Sequence, residues 1–216
     1  MKKALSFLGL AVLAAGLFPS ATVRADDPEI TFSNGVVYVY GSDVDDVCDV
    51  TIELDSDIED IRIKIEIDSD EGDQTERFEL NEIRYLVFYG GNGNDRFTIH
   101  DLPLMDVFDV RFRNYLYGEA GLDALSGGLG DDFICGSGTD ANLDGVKDVL
   151  TGNAGKDIFV APYRTTYINK FLGGRWRQIP VRSTEDRVND FTPNEGDEIW
   201  KRDVETGKVS VLPISG

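Results

Sequence analysis

A nine-residue phrase recurs in the middle of this chain and limits what it can fold into. "GGNGNDRFT" starts at Gly90, "GEAGLDALS" at Gly118, "GGLGDDFIC" at Gly127 and "GNAGKDIFV" at Gly152. "LDGVKDVLT", from Leu143, keeps the late positions of the same phrase. Every copy has an aspartate in sixth place: Asp95, Asp123, Asp132, Asp148 and Asp157. Every copy has an apolar residue in eighth place: Phe97, Leu125, Ile134, Leu150 and Phe159. At ordinary glycine usage of ~7%, three glycines at fixed offsets occur in about 3 of 10,000 windows. Two full copies and three partial ones in this short span are therefore a repeat.

The spacing has a physical reading. Six residues make a turn and three make a short strand, so two phrases close one coil of about 18 residues. Glycine permits the positive φ angles of such a turn and leaves its carbonyls uncovered. Those carbonyls and the aspartate carboxylate are hard oxygen donors, which suit calcium. The apolar eighth residue points inward and stacks on its counterpart in the next coil. One copy alone would equally be an antiparallel hairpin turning at Asn92-Gly93; repetition favours the ion-binding reading.

The pattern G-G-x-G-x-D-x-U-x, with U apolar, resembles the calcium-binding nonapeptide of the repeats-in-toxin (RTX, haemolysin-type) family. The phrases at Gly90 and Gly127 hold all three glycines; those at Gly118 and Gly152 lack the second, and "GSDVDDVCD" keeps only Gly41 and Asp46. The resemblance implies an all-β fold, a right-handed parallel β-roll or β-solenoid, with calcium ions held between successive turns. It implies metal-binding roles for Gly90, Asn92, Asn94, Asp95, Gly118, Asp123, Gly127, Asp131, Asp132, Asp148, Gly152 and Asp157. The starts at Gly90 and Gly118 are 28 residues apart and those at Gly127 and Gly152 are 25, neither a multiple of nine. The expectation is thus an interrupted roll of two or three full coils, with the number of ions left open.

A second oxygen-rich motif sits inside the repeats. "DANLDGVKD" places Asp140, Asn142, Asp144 and Asp148 at calcium-loop spacing around Gly145. Its twelfth place is Thr151 rather than glutamate, so it is not an EF-hand. It reads as a D-x-N-x-D-G calcium loop spliced into the roll, or as a solvated Asx-rich turn.

Around the repeats the chain divides into four parts. Residues 1–25 have a basic start and an apolar run too short to span a bilayer comfortably, and read as a signal peptide cut before Asp26. Residues 26–89 read as a β-rich extension: "VVYVY", the alternating "IRIKIEI" and "RYLVFY" are strands, and Gly41 opens a degenerate repeat without strong ion sites. Residues 90–160 are the calcium-binding roll. Residues 161–216 read as a basic hairpin turning at Gly173-Gly174, followed by a segment that closes the roll. Its arginines, Arg164 to Arg187, are read as a clamp on the acidic roll, or as a contact for an acidic surface polysaccharide.

Charge narrows the function. The chain carries 21 bases and 40 acids, and loss of Lys2, Lys3 and Arg24 with the signal peptide leaves 18 bases. So acidic a chain is not expected to bind nucleic acid or insert into a membrane. The two cysteines, Cys48 and Cys135, would pair in an exported protein or remain as buried thiols. With one histidine, no H-E-x-x-H and no G-x-S-x-G, the reading is non-catalytic. The residual enzymatic alternative is a calcium-assisted lyase or hydrolase on an acidic glycan. The expected protein is secreted, binds calcium as it folds, and is structural or adhesive at the cell surface; the alternative is a calcium-dependent glycan-binding or glycan-cleaving accessory.

Overall fold

A computed structural model describes residues 27–54, 61–100, 102–107, 109–138, 146–172, 175–184, 186–191, 195–203 and 208–211. The fold is all-β, built from two sheets between which the chain passes back and forth. In the first sheet β2 (Val36–Tyr40), β6 (Tyr85–Asn92), β8 (Arg113–Ala120), β10 (Phe133–Cys135), β12 (Ile158–Leu172) and β15 (Glu198–Asp203) lie side by side, all in parallel. In the second, β3 (Asp46–Leu54), β7 (Arg96–Ile99), β9 (Ala124–Ser126), β11 (Val149–Thr151) and β14 (Arg187–Val188) do the same.

The off-period spacings do not break this stack, and it is longer than the two or three coils expected. Extra residues leave the coil as excursions and return in register. Between β3 and β6 the chain makes a hairpin of β4 (Ile61–Ser69) and β5 (Gln74–Glu79). Between β7 and β8 it forms a short helix, α1 (Leu102–Val107), with Pro103 in the first turn where its missing N–H has no partner to lose. Strand β12 runs on beyond the sheet and turns back as β13 (Arg175–Thr184), the hairpin read at Gly173-Gly174, with Leu172 opposite Arg175. The degenerate repeat also joins the stack: Tyr40 pairs with Tyr89 and Cys48 with Phe97, one coil apart.

Three edges of the parallel stacks carry antiparallel strands. β1 (Glu29–Ser33) lies on β2, β4 lies on β3, and β16 (Val209–Val211) lies on β15. Such covers use up unpaired edge groups that would otherwise template aggregation.

The core lies between the sheets. Cys48, Phe97, Leu125 and Leu150, all eighth-place residues of the second sheet, are at most 1% exposed. They face Val39, Phe88, Leu116, Ile134 and Phe159 of the first sheet, and the Phe88 and Phe97 rings lie 5.2 Å apart. Burying each large side chain contributes about 1.5–3 kcal/mol, so the eighth-place column is the main apolar support of the stack. The other face of the first sheet is aromatic, with Tyr40, Tyr89 and Tyr117 stacked at 5.4 and 5.3 Å. Cys135 is buried on that face and Cys48 in the core; the two are not disulfide-bonded.

Candidate metal centre: two rows of buried carboxylates

Turns from the first sheet to the second lie at one end of the strands, and turns back lie at the other. Each end carries a row of sixth-place residues. In the first row the backbone N–H of Asp46 donates to Oδ1 of Asp95 at 2.9 Å. The N–H of Asp95 donates to Oδ1 of Asp123 at 2.8 Å, and that of Asp123 to Oδ1 of Asp148 at 2.9 Å. In the second row Asn114 donates to Asp132 at 2.8 Å, Asp132 to Asp157 at 2.9 Å and Asp157 to Asp197 at 3.0 Å. The sequence separations are 49, 28 and 25 in the first row and 18, 25 and 40 in the second. Only one rung keeps the bare coil length, yet every rung makes the same bond.

Glycine in first place follows from this geometry. The sixth-place carboxylate folds back beneath its own turn. A Cβ at Gly90 would collide with Oδ2 of Asp95 and with the carbonyl of Gly118 in the next coil. Gly118 faces Asp123 and the Gly136 carbonyl in the same way, and Gly127 and Gly152 face Asp132 and Asp157. Second-place residues take the left-handed conformation at three turns: Gly91 at φ 98°, Glu119 at 73° and Asn153 at 70°. The two copies lacking a second glycine therefore bend as the full copy at Gly90 does, against the preference of an L side chain.

These carboxylates are buried: Asp46, Asp95, Asp123, Asp132, Asp148, Asp157 and Asp197 are all at most 1% exposed. Burial pushes Asp95 up to about 8, and the negative charges of Asp123 and Asp46 add to the rise while the Asp46 N–H opposes it. Asp157 rises to about 8 for the same reason, with Asp132, Asp197 and Asp190 as its charged neighbours. Asp132 is held lower, at about 7, by hydrogen bonds from Gly128 and Asn114 and by the charge of Arg113. A proton or a cation is needed here, because stacked anions out of water are costly.

The arrangement fits a hard cation. Oδ1 of Asp95 and of Asp157 accepts a backbone N–H, while Oδ2 of each is buried with no hydrogen-bond partner among the described residues. Carbonyl oxygens of the next coil, such as Gly118 beside Gly90 and Gly152 beside Gly127, approach the same turns. Among the described residues no three histidine, cysteine or acidic side chains gather at one point. Any ion must therefore draw on carbonyls as well as carboxylates, a donor set suited to calcium rather than to zinc.

The remaining residues read from the sequence fall into distinct places. Asn94 and Asp131 occupy fifth places and form outer rungs running the opposite way. Asp45 accepts from the N–H of Asn94 at 2.7 Å, Asn94 from Leu122 at 3.0 Å and Asp131 from Lys156 at 3.0 Å. Asn92 donates to Asp43 at 2.7 Å. Asp148 sits in the first row; Asp140, Asn142 and Asp144 lie outside the described residues. Asp46, at the head of the first row, is read from the sequence only as part of a degenerate repeat without strong ion sites, and the nonapeptide pattern does not single out Asn114 and Asp197 in the second row or Asp190 against it. The carboxylate of Asp190 takes the N–H groups of Gly152 and Asn153 at 2.8 and 2.7 Å. The signal that would have found Asp46, Asn114 and Asp197 is a shorter one: Asp or Asn with an apolar residue two positions on. Asp46 and Cys48 carry it, as do Asn114 and Leu116, and Asp197 and Ile199.

Parallel strands stacked between two rows of buried, oxygen-rich turns define a repeat protein. The RTX calcium-binding nonapeptide repeat matches in four copies, over residues 87–98 and 111–140. The chain carries RTX calcium-binding nonapeptide repeats, and Ca2+ is the ion such repeats bind. Comparison with curated proteins and with solved structures finds no match.

Proposed function

We propose that this is an exported, non-catalytic calcium-binding protein, a right-handed parallel β-roll that folds as it takes up calcium outside the cytoplasm and acts as a structural or adhesive element at the cell surface. The signal-like residues 1–25 and the acidic composition support export. The observation that carries the calcium reading is the pair of buried, unpartnered Oδ2 atoms on Asp95 and Asp157, one in each row. At low calcium, folding must either bring protons onto the stacked carboxylates or bury their charges side by side, and the coils hold together poorly. At millimolar calcium, ions sit between turns, neutralise them and join successive coils. Extracellular calcium modules have Kd values of roughly 10⁻⁴–10⁻³ M. Calcium at 100 times Kd adds about 2.7 kcal/mol for each independent site, so a few weak sites decide between folded and unfolded chain.

The ligands we propose are the carboxylates of Asp95, Asp123, Asp132, Asp148 and Asp157 with carbonyls of their turns, including Gly90, Gly118, Gly127 and Gly152. Asn92, Asn94 and Asp131 contribute through their main chain, since their side chains are engaged in the outer rungs. Asp46 and Asp197 extend the rows beyond the matched repeats. Asp140, Asn142 and Asp144, outside the described residues, are proposed as a further calcium loop on their spacing in the sequence alone. The test is circular dichroism and calorimetry of the chain from Asp26 during a calcium titration. Gain of β-signal with heat of binding is expected; the same spectrum and melting in chelator and in calcium would remove the reading.

A further inference from the structure

An open groove of about 830 Å³ runs along the end of the strands where the second carboxylate row gives out. The earlier coils have no nonapeptide turn at this end. The chain instead enters β6 through residues 80–85 and β8 through residues 109–113, and the groove lies between these entries and the turn at residues 129–131. Its floor is apolar, with Ile83 and Val110 buried and Leu80, Phe112 and Leu129 packed against the core.

Three arginines line this one groove in a chain with a net charge of −19. Their commitments differ. Arg111 is fully engaged: it bonds Asp109 at 2.7 Å, Asp106 at 3.0 Å and the Leu129 carbonyl at 3.3 Å, and so ties the entry of β8 to the turn. Arg113 pairs with Asp131 at 3.5 Å and is also held by the Tyr115 side chain, at one edge of its guanidinium. Arg84 is exposed, and no ion pair involving it exists among the described residues. The stem of Arg84 packs where a Cβ on Gly35 would be, which holds its base in place. Beside it, Tyr85 is 40% exposed and braced edge-on by Tyr115 at 5.9 Å.

We propose that this groove binds a sugar carrying a carboxylate, of the uronic acid class. Arg84 and Arg113 receive the carboxylate, for which the guanidinium fork is matched. The ring's C–H face lies on Tyr85 and the apolar floor. Asp109, at the entry to β8, and Asp131, on the facing turn, accept from sugar hydroxyls. That mixture of two donor cations, an aromatic edge and two acceptor carboxylates fits a singly charged, hydroxyl-rich ring better than a nucleic acid or an acidic peptide. Gly130, Asp131 and Gly155 come from repeat turns, so the far wall depends on the rolled coils.

The test uses the calcium-loaded chain titrated with methyl galacturonoside, which carries one carboxylate, and, in parallel, with the neutral methyl galactoside and an acidic hydrophobic peptide. Saturable binding of the uronate at least about tenfold tighter than the neutral sugar is expected, with a further loss of about tenfold in Arg84→Gln and in Arg113→Gln. Both variants must keep the calcium-induced circular dichroism of the parent, which separates loss of the site from loss of the roll. Arg84 is exposed, so its variant tests the site even where Arg113→Gln fails to fold. Equal binding of acid and neutral sugars, tighter binding of the peptide, no uronate binding to a roll that folds with calcium, or unchanged affinity in Arg84→Gln would each overturn the proposal.

Discussion

The backbone N–H of Asp95 is bonded at 2.8 Å to the carboxylate of Asp123, 28 residues further along the chain. The same bond joins Asp123 to Asp148 over 25 residues, although the chain between is different in each coil. A sixth-place aspartate thus has two tasks. Its Oδ1 closes the coil before it, and its Oδ2, the donor proposed for calcium, turns toward its own first-place glycine.

Removing one such carboxylate should therefore damage the fold with or without metal. In Asp123→Ala the buried N–H of Asp95 loses its acceptor, at a cost of about 1–3 kcal/mol. One proposed calcium donor is lost as well. The expected result is a calcium midpoint for folding several-fold higher than in the parent, read by circular dichroism. Glu76→Ala, which alters an exposed carboxylate outside both rows, should leave that midpoint in place. An unshifted midpoint in Asp123→Ala would separate the ladder from calcium binding.

Acidity should stabilise the metal-free chain. Asp95 and Asp157 at about 8 and Asp132 at about 7 hold protons in the folded state that they release, from an ordinary 3.8, in the unfolded one. Folding then takes up protons between about pH 4 and pH 8. Stability is fully present below the unfolded value and is lost as pH rises through the folded values. In chelator the melting temperature should fall steadily across this window. Saturating calcium should flatten or reverse the slope, because the ion replaces the protons and binds the ionised form. Melting curves at pH 5, 6, 7 and 8 in both buffers provide the measurement, and parallel slopes would contradict it.

Much of this architecture is legible in the residues because its two rules are local. A glycine is needed where a carboxylate and a neighbouring carbonyl leave no room for Cβ, as at Gly118; an apolar residue is needed where the side chain enters the core, as at Leu125. The strands at 36–40 and 61–67, and the hairpin at Gly173-Gly174, follow from apolar runs and alternation. Coil number does not follow from a count of nonapeptides. Stacking tolerates any excursion that returns in register, so a 40-residue gap between Asp157 and Asp197 still closes one rung. Asn114 was hidden for another reason: no glycine turn precedes it, because the 109–113 segment supplies the entry to β8.

Glu119 offers a gain of stability. It stands in second place with φ 73°, where the copy at Gly90 has Gly91 at 98°. A left-handed conformation costs an L residue about 1–2 kcal/mol, and glycine gives back about 0.5–1 kcal/mol through the greater freedom of its unfolded chain. Glu119→Gly should thus raise stability by up to about 1.5 kcal/mol, seen as a higher melting temperature in calcium. Glu119→Val should lower it, because a β-branched side chain tolerates this region least. Stabilisation by valine would show that the turn relaxes away from the observed φ.

The β12–β13 hairpin should be dispensable for the roll. Only the first part of β12 belongs to the stack: Ile158, Phe159 and Val160 pair with β10 on one side and with Glu198, Ile199 and Trp200 of β15 on the other. From Tyr163 onward the chain pairs with β13. It re-enters at Arg187, whose N–H bonds the carbonyl of Asp148 at 2.8 Å, while Asp190 caps the turn at Gly152. Replacing residues 164–183 by a short glycine-serine turn keeps every one of these rungs. The shortened chain should fold at the parent's calcium midpoint, within about twofold. If the basic strands clamp the acidic roll instead, their removal should raise the midpoint well beyond that. High salt would then shift the parent toward the shortened chain, since screening weakens contacts between exposed charges. Circular dichroism of both chains at two ionic strengths separates an appendage from a clamp.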